Sequence, residues 1–160
     1  MSAAPSLARL SVLAALALAT ATPAASGSEM AGRWRTADGS AEVDIRRCGI
    51  EICGTIATIL DNGPAVPSTD AHNPEPKLRN RPLLGLVVLS GFRQKSGAWR
   101  NGLAYDPKTG RSYRASLALR DPQHLILTGY ILLFCRSVEW QRVREAPRGR
   151  GTEMPTRQGG

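Results

Sequence analysis

Apolar and polar residues alternate along this chain in short runs separated by turn-forming residues. In residues 41–47 (AEVDIRR), Val43 and Ile45 share one face while Glu42, Asp44 and Arg46 take the other. That period of two is the mark of a half-buried antiparallel strand. Residues 111–120 repeat it, with Tyr113, Ala115, Leu117 and Leu119 opposite Arg114, Ser116 and Arg120. Asp38-Gly39, Gly49, Asp61-Asn62-Gly63-Pro64, residues 93–97 (RQKSG), residues 106–110 (DPKTG) and Asp121-Pro122-Gln123 punctuate the runs, each rich in residues that favour turns. Further strands are expected at 32–36, 52–60, 99–105, 124–130 and 137–143. Trp99, Leu103 and Tyr105 then fall on one face, and the apolar run at 83–92 (LLGLVVLSGF) reads as a strand buried on both faces. The resulting class is all-β, with eight short antiparallel strands. A meander of that size removes its exposed edges by closing into a barrel. Its interior is either filled by side chains or holds one small ligand.

One stretch breaks the alternation. Residues 61–82 carry no strand pattern, and connections of that length in compact domains are normally functional or disordered. Asn73 is placed to cap a short helix with Pro74 at its first position and Glu75 at the positive end of the dipole. Pro82 stops that helix at or before Arg81. The stretch is therefore expected to be an ordered crossover between the third and fourth strands, containing a helical turn or two. Asp70, Asn73, Arg79 and Arg81 form its polar cluster. Two arginines spaced by two, near an acid, suit bidentate capture of a carboxylate or phosphate. The competing reading pairs Asp70 with one arginine to pin the loop to the barrel. Trp99 and Tyr105 complete the candidate ligand contacts.

The rest of the composition bears on compartment. Arg9, an apolar run at 10–21 and small residues between Ala24 and Gly27 resemble a cleavable leader over residues 1–26, too short to span a bilayer. An exported, periplasmic or secreted barrel domain over 27–144 is expected, followed by a basic, disordered tail over 145–160. Net charge is +8, and arginine supplies 18 of the 21 basic residues, which favours anionic partners such as envelope lipid. No nucleic-acid-binding motif accompanies it. Of three cysteines, Cys48 and Cys53 flank a hairpin turn. A bridge between them and two free thiols both fit the spacing. Cys135 is expected to be a buried thiol. His72 and His124 lie too far apart in the chain to suggest a metal cluster, so no metal or cofactor is expected. Asp106 and Asp121, each before a proline, read as turn caps, and Glu139 and Arg142 as a pair across the sheet.

The residues from Gly32 to Val143 resemble the bacterial domain-of-unknown-function 2147 family of small exported proteins. The matching pieces are Gly32-Arg33-Trp34, Cys48-Gly49, Cys53-Gly54, Asp70-x-x-Asn73-Pro74 and Leu78-Arg79-x-Arg81-Pro82-Leu83-Leu84-Gly85. They continue through Trp99-x-x-Gly102-x-x-Tyr105-Asp106-Pro107, Gly110-x-x-Tyr113, Gly129-Tyr130 and Trp140-x-Arg142. The resemblance implies a calycin-like (lipocalin-like) barrel in which Trp34, next to Gly32, packs beneath Arg142 of the last strand, close to Trp140. It brings no catalytic residue, because the family has no established activity. The leading functional reading is a non-enzymatic binder of a small, partly apolar ligand. The alternative is an envelope protein that meets anionic lipid or polymer through its basic residues. A third is an enzyme built on Asp70, Arg79 and Arg81.

Overall fold

The computed structural model describes residues 27–61 and 67–144. The leader at 1–26, the end of the Asp61–Pro64 turn and the tail at 145–160 lie outside the described residues. A short helix α1 (Gly27–Met30) leads into β1 (Gly32–Arg35), β2 (Ala41–Cys48), β3 (Glu51–Ile59), β4 (Val87–Lys95), β5 (Ala98–Asp106), β6 (Arg111–Asp121), β7 (His124–Ile131) and β8 (Phe134–Arg142). Each strand pairs antiparallel with the next, and β1 pairs with β8, so the eight strands close into a barrel. The closing seam is short: only Trp34↔Arg142 and Arg35↔Gln141 are in register. Inward positions of the strands meet in one core around Trp34, Phe92, Trp99, Leu117 and Leu125. Burying each such side chain contributes about 1.5–3 kcal/mol.

Several strands differ in detail from their sequence pattern. The run at 83–92 does not start a strand until Val87. Gly85, at φ 80°, turns the chain first, and Leu84 and Val87 are half exposed. β4 is therefore not buried on both faces. Instead, bulges opposite Gly54 let both Val88 and Leu89 face inward. Residues 93–95 belong to β4, and the loop shrinks to Ser96-Gly97, with φ 50° and 76°, a twist that matches the flanking strands. Asn101, at φ 61°, marks a second irregularity between Trp99 and Gly102. One extra residue reverses the faces, so Leu103 points out, 49% exposed, rather than sharing a face with Trp99. β7 and β8 run on to a two-residue turn at Leu132-Leu133, where no turn-forming residue occurs.

Cys48 and Cys53 are bridged across the β2–β3 hairpin, Cα atoms 6.0 Å apart. They lie diagonally, since Cys48 faces Glu51 and Cys53 faces Arg46. Cys135 is exposed rather than buried, because β8 outruns the short β1 and no strand among the described residues covers that end. Glu139 does not pair with Arg142; Arg120 takes it from two strands away. Asp106 and Asp121 cap their turns, accepting the backbone N–H of Lys108 and Gln123 at 2.9 and 2.8 Å.

Candidate functional site

The two ends of the barrel differ. At one end Arg142 lies over the Trp34 ring, 4.1 Å from its centroid, a cation–π contact. Its Nε donates to Pro122 O at 2.6 Å and its Nη1 to Ala31 O at 2.9 Å. Nη2 donates to Glu29 O. Trp34 Nε1 donates to Met30 O at 2.9 Å, which ties α1 beneath the barrel. Gly32 is needed there because a Cβ would lie 2.6 Å from Arg142 Nη1. Burial lowers the Arg142 pKa, but the carbonyl cage holds the guanidinium as a fixed cation. This end is closed.

The crossover lies over the other end. Its 3-10 turn is Pro76–Leu78, later than expected, and Glu75 precedes it without a side-chain cap. Asn73 folds the chain differently: its Oδ1 accepts the Glu75 N–H at 2.9 Å, a local turn that competes with helix. Asp70 is fully buried at the centre. Tyr105 Oη donates to its Oδ1 at 2.6 Å, and Asn73 Nδ2 to its Oδ2 at 2.7 Å. Arg81 adds Nε and Nη2 to the same Oδ2, at 2.9 and 2.7 Å. Burial pushes the Asp70 pKa up, yet the bonds from Tyr105, Asn73 and Arg81 outweigh it and hold the carboxyl below its ordinary range. Burial and the Asp70 charge raise the Tyr105 pKa. Arg79 turns away from Asp70, its Nε donating to Asn73 O at 2.8 Å. Gly110 completes the join, because a Cβ there would lie 1.8 Å from His72 O.

These contacts answer what the cluster faces. Asp70, Asn73 and Arg81 satisfy one another and Tyr105, and none of the three lines the barrel's cavity. A bidentate anion site would need both arginines free and convergent, which they are not. Trp99 is likewise sealed in the core, its Nε1 without an acceptor among the described residues. Of the expected ligand contacts, Tyr105 lines the cavity; Trp140, expected as a structural residue, forms part of its wall.

The cavity itself measures about 490 Å³, within the range of small-molecule sites, about 300–1,000 Å³. Val43, Ile56, Leu89, Leu127 and Val138 give it an apolar wall. Its mouth lies between the β1–β2 turn, the β5–β6 turn and the inner face of the β7–β8 hairpin. Asp38 and Lys108 pair across that mouth at 2.7 Å. Burial raises the Asp38 pKa, but Lys108, Thr36 and Ser40 win and leave it well below the usual carboxylate range. Arg136 also lines the cavity, exposed and without an ion-pair partner among the described residues. Ala104 and Gly129 are small residues at inward positions that leave this space open. Among the described residues no cluster of His, Cys, Asp and Glu is arranged to hold a metal; His124 instead pairs with Asp121.

Comparison with known proteins agrees with this architecture. No curated protein matches the chain. A solved structure, HP1028 from Helicobacter pylori, described as belonging to the lipocalin family, is similar at 23% identity with a TM-score of 0.64. The match covers 72% of this chain and 83% of that one, and it shows a shared lipocalin-like fold. Residues 32–142 match the family described as an uncharacterized protein conserved in bacteria, so the chain belongs to the DUF2147 family.

Proposed function

We propose that this protein is an exported, non-enzymatic carrier that holds one small, partly apolar molecule inside its barrel. The observation that carries the reading is the apolar cavity of about 490 Å³, open at one end, with Arg136, which has no ion-pair partner among the described residues, at its mouth. An apolar body would displace water from the wall formed by Leu127, Val138 and Trp140. A polar or acidic end would reach Arg136 without leaving solvent. The Asp70 cluster serves this reading as scaffold, because it fixes the crossover and Tyr105 beside the cavity. The Cys48–Cys53 bridge supports export, since disulfides persist in oxidising compartments, as does the leader-like start of the chain. Among the described residues no helix is long and apolar enough to cross a membrane.

The test is binding of an environment-sensitive naphthylamine dye to the purified protein, beside mass spectrometry of material extracted from protein made in its native host. Val138→Trp fills the cavity from its wall. It should weaken dye binding at least tenfold, the change of about 1.4 kcal/mol that losing part of the apolar contact implies, with melting little altered. A wild-type protein that binds no dye and releases no small molecule refutes the carrier.

A further inference from the structure

The β7–β8 hairpin is unlike any other turn of the barrel. Tyr130, Ile131, Leu132, Leu133 and Phe134 are 43, 51, 97, 96 and 79% exposed, and the exposed Cys135 follows. Five consecutive apolar side chains in water form a contiguous patch of the kind that marks an interaction site. Its exposure follows from register. The β6–β7 ladder ends at Arg114↔Tyr130, and β1 reaches β8 only at Gln141 and Arg142. The hairpin therefore stands beyond the rim. The turn is not favoured by its residues: Leu132 sits at φ 53°, where asparagine or glycine would be at ease and leucine is strained. Bulk apolar side chains occupy a position that backbone stability alone would give to small polar ones.

Two further observations say what would cover this tip. The surrounding free charge is positive. Arg111, Arg114 and Arg136 are exposed without an ion-pair partner among the described residues, whereas Asp38 is taken by Lys108 and Asp106 by its own turn. The tip is also continuous with the cavity. Ile131 pairs with Phe134, and Ile131, Arg136 and Val138 line the cavity, so one apolar surface runs from the barrel interior out to Phe134.

We propose that the β7–β8 tip docks the protein on an anionic lipid bilayer, with Leu132, Leu133 and Phe134 inserted at the level of the headgroups and Arg111, Arg114 and Arg136 against lipid phosphates. Apolar insertion and basic attraction together are what hold interfacial proteins on membranes. Long arginine side chains keep their heads in the polar layer while their stems follow the apolar one. The cavity mouth then faces the bilayer. Docking needs no occupant in the cavity, so vesicle binding and ligand binding can fail separately.

The experiment is partition of the purified protein onto vesicles of phosphatidylcholine alone and of phosphatidylcholine mixed with phosphatidylglycerol. The mixed vesicles should bind it more strongly, and Leu133→Trp should report insertion by a blue-shifted emission quenched by brominated lipid. The combined change Leu132→Ser, Leu133→Ser and Phe134→Ser should weaken partition about a hundredfold with little change in the melting temperature, because these side chains are almost wholly exposed in the fold. Arg111→Gln with Arg114→Gln and Arg136→Gln should lower binding to the anionic vesicles roughly a hundredfold at low salt. Three results would overturn the proposal. They are the absence of vesicle binding, binding untouched by the serine changes but abolished by removing residues 145–160, and tip-dependent self-association without vesicle binding, which would make a second copy of the chain the occupant.

Discussion

Replacing Asp70 by asparagine tests the joint between crossover and barrel. The change keeps side-chain volume and removes one charge from a fully buried position. Arg81, bonded to Asp70 Oδ2 at 2.7 Å, is left as an uncompensated cation, though its side chain is 37% exposed. Breaking a fully buried pair costs about 3–5 kcal/mol. Arg81 can be partly rehydrated, which brings the expected loss to about 2–3 kcal/mol. The amide nitrogen then faces the Tyr105 hydroxyl, whose O–H loses its Oδ1 acceptor, and that lost bond is part of the same loss of about 2–3 kcal/mol, contributing about 1 kcal/mol. For a barrel of this size the loss corresponds to a fall in melting temperature of roughly 10 °C. Urea unfolding followed by circular dichroism measures it, with the midpoint moving and the slope unchanged. Acid supplies a second readout of the same group. Asp70 has a folded-state pKa below its unfolded value near 4. Its stabilisation is therefore complete above about pH 4 and is lost as pH falls through the lower folded value. Wild type should lose stability over that acid window, and Asp70→Asn should show a shallower fall, so that the two curves converge. Equal stabilities at neutral pH, within about 0.5 kcal/mol, together with parallel acid limbs, would refute the view that Asp70 holds the crossover.

Two other changes probe the ends of the barrel by the same unfolding assay. Arg142→Lys keeps the charge but loses the planar fork that reaches Pro122 O, Ala31 O and Glu29 O together. A loss of about 2–3 kcal/mol is expected, with amide exchange accelerated first in β1. Gly110→Ala places a Cβ 1.8 Å from His72 O at φ 68°. It should cost about 3 kcal/mol or more and raise proteolysis within the crossover, whereas Gly39→Ala, with open space around it but a similar φ, should cost only the backbone strain.

The barrel was legible because its turns carry the residues turns require. Asp-Gly at 38–39, the Asp-Pro pairs at 106–107 and 121–122 and Gly49 divide the chain into strands whose inward residues alternate. Legibility failed where a single residue changed parity. Asn101 turns Leu103 outward; asparagine before Gly102 tolerates a positive φ, but within an alternating run that pair does not say whether the chain turns back or only bulges. The connection between the strands expected at 124–130 and 137–143 proved shorter, a two-residue turn at Leu132-Leu133, because its apolar residues carry no turn signal and continue the strands instead. The Asp70 cluster was recognisable by residue type. Its orientation was not, because whether Arg81 meets Asp70 depends on how Pro76–Leu78 folds back, a three-dimensional matter. The cavity was invisible because it depends on the summed volumes of side chains from several strands.

The two-pair seam between β1 and β8 sets the order in which the molecule can be completed. Arg142 and Ala31, which meet there, are 111 residues apart, and closing a loop of that length costs about 4 kcal/mol in chain entropy. Two strand pairs, at about 1 kcal/mol per hydrogen bond, do not offset that alone; Arg142 over Trp34 and the burial of Met30 must supply the rest. During synthesis the first strand emerges long before its second partner. Until β8 is made, the chain is an open sheet with two unpaired edges and an unroofed core, and a copy truncated before Phe134 would stay in that aggregation-prone form.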